Sequence, residues 1–426
     1  MSSSQQALNR QQTESSTVPI PVSAPRTILF IVPQPFFAER GSPIRVRSTI
    51  SALVELGYEV DLLALPFGQD VEIPGVHILR SWSFPGMRSV SIGPSWAKVW
   101  LDALLLIKAI QLSYRTRYFA VHGVEEGGII AAILRMLRGT PYVFDMHSCM
   151  SEQLEHSGWV RSRFFLKAFR LLERFCMRRA AAVMTVGVNH QRLVNTVAPD
   201  VPVYPLQDLP IVSQKAESFT ATVEKLRGEL GIAGNQVLLY TGNFEAYQGI
   251  ELLLRSFAHA HQELQRSGVE SPKLLLVGGG ESYDAAVCPF QALARELKIS
   301  HRVHFVGQRP LAEINAYMDL ADIYLSPRTA GQNTPLKIYS YMSSEKPIVA
   351  TRINSHTQVL DDSCVILAEP TPDAFAEALL EAIDMSETAT SKKVKLVRRS
   401  KELIETQFSP REFSRKLSEM YSHLCP

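Results

Sequence analysis

The chain has no run of apolar residues long enough to cross a bilayer. The best candidate, residues 96–112, is interrupted by Lys98, Asp102 and Lys108 and falls short of the roughly 20 apolar residues a spanning helix needs. An excess of charge of either sign is also missing. The 44 basic and 42 acidic residues leave a net charge of +2, which gives no general argument for nucleic acid or an anionic surface as partner. Cysteine is scarce: Cys149, Cys176, Cys288, Cys364 and Cys425 are odd in number and never spaced as CxxC. That pattern argues against a disulfide framework or a zinc site and fits a reducing compartment. The opening MSSSQQALNRQQTESSTV has no apolar signal-peptide core. Residues 1–24 are therefore expected to form a disordered tail, and the protein is expected to be cytoplasmic. No repeat of 20–50 residues shows, which argues against a solenoid.

What is present is an alternation of short apolar runs with helical patterns. At 426 residues the chain is too long for one ordinary core, so two domains are expected. The runs TILFIVP, YEVDLLAL, VHILR, AVHGV, PYVFDMH and AAVMTV read as buried strands separated by helices. Around residues 201–213 the chain turns Pro-rich and irregular, VPVYPLQDLPIVS, which marks a boundary. A second alternation follows: VLLYTG, KLLLVGG, RVHFVG, ADIYLS, PIVAT and CVILAE, with helices at about 249–266, 284–298, 311–319 and 335–343. Further helices are expected at about 372–385 and 391–405, and a last one with Ser409 as cap and Pro410 at its first position. Alternation of this kind gives parallel sheets with helices on both faces. The fold class is α/β, two doubly wound, Rossmann-like domains facing a central cleft.

In such sheets ligands bind beyond the carboxyl ends of the strands. Gly41 lies in the loop after the first strand and just before a helix, where backbone can approach an anion closely. The reading beside it is an ordinary turn. His147, two residues after Asp145 in FDMHS, could donate to a sugar hydroxyl or a developing charge with Asp145 orienting it, or be a buried histidine satisfied by backbone. Glu125 and Glu126 could receive hydroxyls, or form a solvated acidic turn. In the second half, TGNFEAYQG (241–249), GGGE (278–281) and the stretch from Arg328 through 332–337 sit at strand exits. Arg328 and Lys337 are the cations best placed to neutralise a diphosphate, unless they are surface charges. Residues 161–179, RSRFFLKAFRLLERFCMRR, carry seven basic residues, one acidic residue and an aromatic stripe. That helix could lie on an anionic membrane, or pack its apolar face into the core.

Taken together, the first strand with its Gly41 loop, DMHS, YTGNFEAYQGIELLLRSF, LLLVGGGES, RVHFVGQ, ADIYLSPR and NTPLKIYSYMSSEKPIVAT resemble the retaining, family-4 type glycosyltransferases with the GT-B fold, over nearly all of residues 25–424. The resemblance implies an acceptor-side domain at 25–208, a nucleotide-sugar domain at 209–408, and a C-terminal helix at 409–426 that returns to the first domain. It implies transfer from a nucleotide-diphosphate sugar, of UDP or GDP type, to a glycan or lipid-linked acceptor, with retention and without a metal or other cofactor. Catalytic contributions then fall to His147, Gln332 and Arg328. Donor contacts fall to Gly41, Asn243, Gln248, Gly279, Asn333, Thr334, Lys337 and Ser340.

The chain departs from the family at several positions. Two glutamates of the usual signature fall on Gln332 and Ser340, and the Arg and Lys that hold the diphosphate fall on Asn243 and Gln248. Glu345 stands where glycine is usual. Arg328 and Lys337, or Arg45 or Arg47 reaching across, are expected to replace the lost cations. The alternative is a non-catalytic GT-B partner or scaffold with a degraded donor site. A sugar-nucleotide epimerase fits less well, because that chemistry wants acidic and basic groups at the sugar.

Overall fold

The computed structural model describes residues 26–36, 41–68, 71–84, 86–87, 95–157, 162–211, 220–279, 283–387 and 390–424. The tail, most of the first-strand loop, residues 88–94 and Gly280–Glu281 lie outside them.

Strands β1 (Arg26–Val32), β2 (Tyr58–Ala64), β3 (Val76–Arg80), β4 (Ala120–Val124), β5 (Tyr142–Met146), β6 (Ala182–Thr185) and β7 (Val203–Pro205) form one sheet in the order β3-β2-β1-β4-β5-β6-β7. A second sheet contains β8 (Val237–Asn243), β9 (Lys273–Gly279), β10 (Val303–Gly307), β11 (Ile323–Ser326), β12 (Ile348–Thr351) and β13 (Ile366–Ala368), ordered β10-β9-β8-β11-β12-β13. Every pairing is parallel. Parallel strands are covered on both faces, which is why β1, β4, β5 and β8 are near-continuous apolar runs rather than alternating ones. Each sheet reverses its winding once, between β1 and β4 and between β8 and β11. At such a switch point the two following loops diverge and leave a crevice for a ligand.

Glycines set the crevice floor in the second sheet. Gly249 closes the turn after β8 in a left-handed conformation, φ 74°, and a Cβ there would lie 1.9 Å from the Pro327 carbonyl oxygen. At Gly278 an added Cβ would meet the Gly242 carbonyl oxygen at 1.9 Å, so the ends of β8 and β9 approach as only glycine allows.

The last helix, Pro410–Ser422, opens as its sequence signals: the Ser409 hydroxyl accepts from the Glu412 N–H at 3.2 Å and Pro410 follows it. Its apolar face, Phe413, Leu417, Met420 and Tyr421, joins the core built on Ile28, Phe30 and the helix Gly41–Glu55. Residues at i, i+4, i+7 and i+8 share one helix face. Burying each such side chain contributes about 1.5–3 kcal/mol, enough to hold this helix on the first sheet. The segment linking the sheets is pinned on both sides. Leu206 and Leu209 pack with the first core, while the Ile211 N–H donates to Ser340 Oγ at 3.0 Å.

Glu345 departs from what its residue type favours. It adopts φ 60°, and its carboxylate pairs with Lys401. A side chain at positive φ is strained, in keeping with the glycine that the resemblance implies at this position.

Candidate active site

On the first-domain side the loops after β1, β4 and β5 converge. His147, just beyond β5, has both ring nitrogens engaged: Nδ1 lies 2.9 Å from Ser42 Oγ and Nε2 lies 3.0 Å from Asp145 Oδ2. Ser42 in turn accepts from Gln34 Nε2 at 2.9 Å. Asp145 Oδ2 also meets His122 Nε2 at 3.3 Å, and His122 Nδ1 meets the Tyr421 hydroxyl at 2.8 Å. Since a carboxylate accepts, both imidazoles present N–H to Asp145, and His122 Nδ1 then accepts from Tyr421. Arg45 lies 4.0 Å from Asp145 and donates to Asp208 and to the Leu206 carbonyl. A buried chain therefore runs from Ser42 through His147, Asp145 and His122 to the C-terminal helix.

The charge states follow from these contacts. Burial pushes the Asp145 carboxyl up, but His147, the hydrogen bond from His122 and Arg45 hold it well below the ordinary range. Burial works against the His147 imidazolium, yet Asp145 outweighs it and the pKa is raised. His122 is lowered by burial and stays neutral. Replacing Tyr421 by phenylalanine leaves His122 Nδ1 buried without a donor. The expected loss is about 1–3 kcal/mol of stability, read as a lower urea midpoint with an unchanged slope.

Two expectations need correcting here. His147 does not offer a free nitrogen to a sugar, because Ser42 and Asp145 occupy both; a sugar contact through Nδ1 requires the Ser42 hydroxyl to turn away. Arg45 does not reach across the cleft, being held by Asp208, Leu206 and Asp145. Arg47, exposed, lines a pocket with Leu209, Phe413 and the second domain's Leu311. Gly41 begins the helix Gly41–Glu55, which has no acidic residue in its first turn. Glu125 is tied to Ser148 Oγ at 2.8 Å, and Glu126 lies 3.3 Å from Lys98 Nζ. Neither is a freely solvated turn carboxylate.

On the second-domain side Arg328 follows β11 and Lys337 sits in the helix Leu336–Met342. The Lys337 ammonium donates to the Thr241 carbonyl at 2.9 Å and stands 3.7 Å from the Tyr240 ring centroid. The Arg328 guanidinium covers the Tyr247 ring at 4.8 Å and donates to the Asn333 carbonyl at 2.7 Å. Neither has a carboxylate partner among the described residues, and Arg328 Nε is buried without a hydrogen bond. Burial, reinforced by the charge of Arg328, drives the Lys337 pKa well below the ordinary lysine value. Among the described residues, two basic side chains without a carboxylate partner thus stand near the switch point of the second sheet.

The remaining predicted residues divide. Asn243 ends β8, exposed, opposite Gly279 in register. Gln248 follows in the turn Ala246–Gln248 with its Oε1 buried and unpaired. Asn333 bridges the domains through Nδ2 to the His147 carbonyl at 2.5 Å, its own Oδ1 left without a partner. Thr334 donates to the Ser355 carbonyl. Gln332 is exposed at the cleft, its carbonyl taken by Gln358. Ser340 is not at the crevice surface; it is buried against Ile211 and braces the linker rather than meeting a ribose.

Sequence reading missed the Tyr421–His122 link, the two tyrosine platforms under the cations, and His356. Burial lowers His356 to about 4, and as a neutral ring it ties Ser326 of β11 to Thr351 of β12. Two buried polar atoms without protein partners lie where the domains meet: Asn333 Oδ1, on the side chain that reaches His147, and Gln358 Oε1, beside Gly187. Such atoms are rare in folded proteins, and a polyhydroxylated ligand is one group that satisfies them.

The same architecture recurs in known proteins. The D-inositol 3-phosphate glycosyltransferase of Corynebacterium diphtheriae is 29% identical over 164 residues, 38% of each chain. The match thus spans less than half the length of that relative. Sucrose-phosphate synthase from Thermosynechococcus elongatus superposes with a TM-score of 0.73 at 18% identity, covering 94% of this chain and 99% of that one. Anabaena Alr3699/HepE, in a complex with UDP-glucose, gives 0.67 at 18% identity, covering 93% and 99%. Residues 40–202 match the model described as glycosyl transferase 4-like domain, and residues 235–385 the one described as glycosyl transferases group 1. The chain belongs to the group 1 glycosyltransferases and has their two-domain GT-B fold.

Proposed function

We propose that the protein transfers a sugar from a nucleoside-diphosphate sugar to an acceptor hydroxyl, with retention at the anomeric carbon and without a metal. The observation that carries this is the pair of basic side chains, Arg328 and Lys337, without a carboxylate partner among the described residues near the switch point of the second sheet. They take over from the basic residues replaced by Asn243 and Gln248. In the reaction the bond from the anomeric carbon to the diphosphate oxygen breaks. The acceptor oxygen attacks the same face, and its proton passes to the leaving phosphate. Negative charge builds on the diphosphate, where preorganised cations lower the barrier most. The acceptor, a glycan or lipid-linked sugar, enters on the first-domain side, between the loops after β1 and β4. The scaffold reading requires a donor site stripped of cations; two remain, in a new arrangement.

UDP sugars are the first donors to test, given the complex of the Anabaena protein, with GDP and ADP sugars beside them. A nucleotide at about 100 times its dissociation constant should stabilise the fold by about 2.7 kcal/mol. Thermal unfolding across the panel is expected to show that shift for one base. No shift with any nucleotide at millimolar concentration would favour the scaffold.

A further inference from the structure

We propose that the outer face of three neighbouring helices in the first domain, Trp96–Arg115, Gly127–Arg138 and Arg163–Arg179, docks on an anionic lipid surface. The helices pack side by side against one face of the first sheet. The aromatic stripe of the third helix turns outward: Phe164 is 75% exposed and Phe165 61%. Its inward face is Leu166, Glu173, Cys176 and Met177. On the first helix Trp96 is 71% exposed and Trp100 62%. Soluble surfaces rarely gather large aromatics in this way, and amphipathic rings of this kind favour a lipid interface.

Charge decides the partner. These helices contain only two carboxylates, and neither opposes the basic surface. Asp102 pairs with Lys98 at 3.1 Å, while Glu173 is buried and accepts from the Met150 N–H at 2.8 Å. Arg115, Arg138, Arg163, Lys167 and Arg174 are exposed. Arg138 lies over the Tyr114 ring at 4.5 Å, a cation set beside an exposed aromatic at the interface level. A chain of net charge +2 thus sets these five exposed cations beside exposed aromatics, with Arg170 of the same helix paired to Glu155, the pattern that binds anionic headgroups. The expected contact through 161–179 widens to include the two tryptophans.

The face also adjoins the cleft. Lys98 donates to the Pro33 carbonyl after β1 and pairs with Glu126 after β4, so the turn bearing Trp96 and Trp100 stands at the cleft edge. On the proposed transferase reading, a lipid-linked acceptor would reach the site from that surface.

The test is sedimentation of the full chain with phosphatidylglycerol–phosphatidylcholine vesicles and with phosphatidylcholine alone. Binding is expected to the mixed vesicles and to be at least about tenfold weaker to the neutral ones. The combined Trp96→Ala, Trp100→Ala, Phe164→Ala and Phe165→Ala variant should lose it. An Arg163→Gln, Lys167→Gln and Arg174→Gln variant should lose about 100-fold and most of the salt dependence. Circular dichroism of each variant confirms folding. No binding to either vesicle, binding indifferent to these variants, or a concentration-dependent dimer that the aromatic variant abolishes would overturn the proposal. Vesicle binding without any stabilisation by nucleotides would keep the docking surface and remove the transferase reading instead.

Discussion

Replacing Lys337 with methionine should lower turnover by about two to three orders of magnitude and, at the same time, raise the melting temperature of the ligand-free protein. The two effects share one cause. The Lys337 ammonium is held against Thr241 and Tyr240 beside Arg328, with no carboxylate partner among the described residues. Its charge is costly to the free protein and useful only when an anion arrives. Methionine fills a similar volume without the charge, so the fold should gain roughly 2–4 °C, the effect of about 1 kcal/mol. Because the folded pKa lies below the ordinary value, the unfolded chain holds more protons between the two, and stability rises with pH across that window. The gain from Lys337→Met is therefore full below the folded pKa and gone above about 10.5. Unfolding of both proteins by heat from neutral to alkaline pH measures it. A variant with normal turnover, or with a lower melting temperature throughout, would contradict the assignment.

Asp145→Asn should have the largest effect on the first domain. The carboxylate is fully buried, faces two imidazoles and stands 4.0 Å from Arg45. Removing one partner from a buried charged cluster costs about 3–5 kcal/mol. The cost has a pH signature. Asp145 has a depressed folded pKa, so its contribution is present above the ordinary carboxylate value and is lost as pH falls through the folded one. His147 has a raised folded pKa, so its contribution is full below about 6.5 and lost as pH rises through the folded value. Asparagine abolishes both, and the His147 ring should then titrate below its wild-type value in proton spectra of the imidazoles. Unchanged titration of His147 would mean that Asp145 does not set its charge.

Much of the frame was legible because parallel strands covered on both faces must be apolar runs, as TILFIVP and VLLYTG are. The cap at Ser409 and Pro410 was legible for a local reason, since both residues act within one helical turn. The positions of Arg328 and Lys337 were legible too: the structure sets them just after β11 and in the helix that follows it, on the side where the winding rule puts ligands. What could not be read depends on distant pairing. Tyr421 meets His122 across 299 residues, and no local pattern announces it. The strand exit announces His147 and its orientation by Asp145, two residues away, but not its contact with Ser42 across 105 residues. The aromatic helix was ambiguous because Glu173, an acid, takes an inward position to cap Met150, which leaves Phe164 and Phe165 outside. Ser340 stands where the resemblance puts a ribose contact, but the linker residue Ile211 takes its hydroxyl, a pairing across 129 residues.

The central claim is that Arg328 and Lys337 hold the diphosphate that Asn243 and Gln248 cannot. Calorimetric titration with UDP, GDP and ADP tests it most directly, on the wild type and on the Arg328→Gln, Lys337→Met double variant. One nucleotide should bind the wild type and release heat that varies with buffer ionisation at alkaline pH, as Lys337 takes up a proton. The double variant, still folded, should lose at least about 100-fold in affinity, as expected when two charge-assisted contacts are removed. Equal affinity in the two proteins, or no binding of any nucleotide by the wild type, would contradict the account.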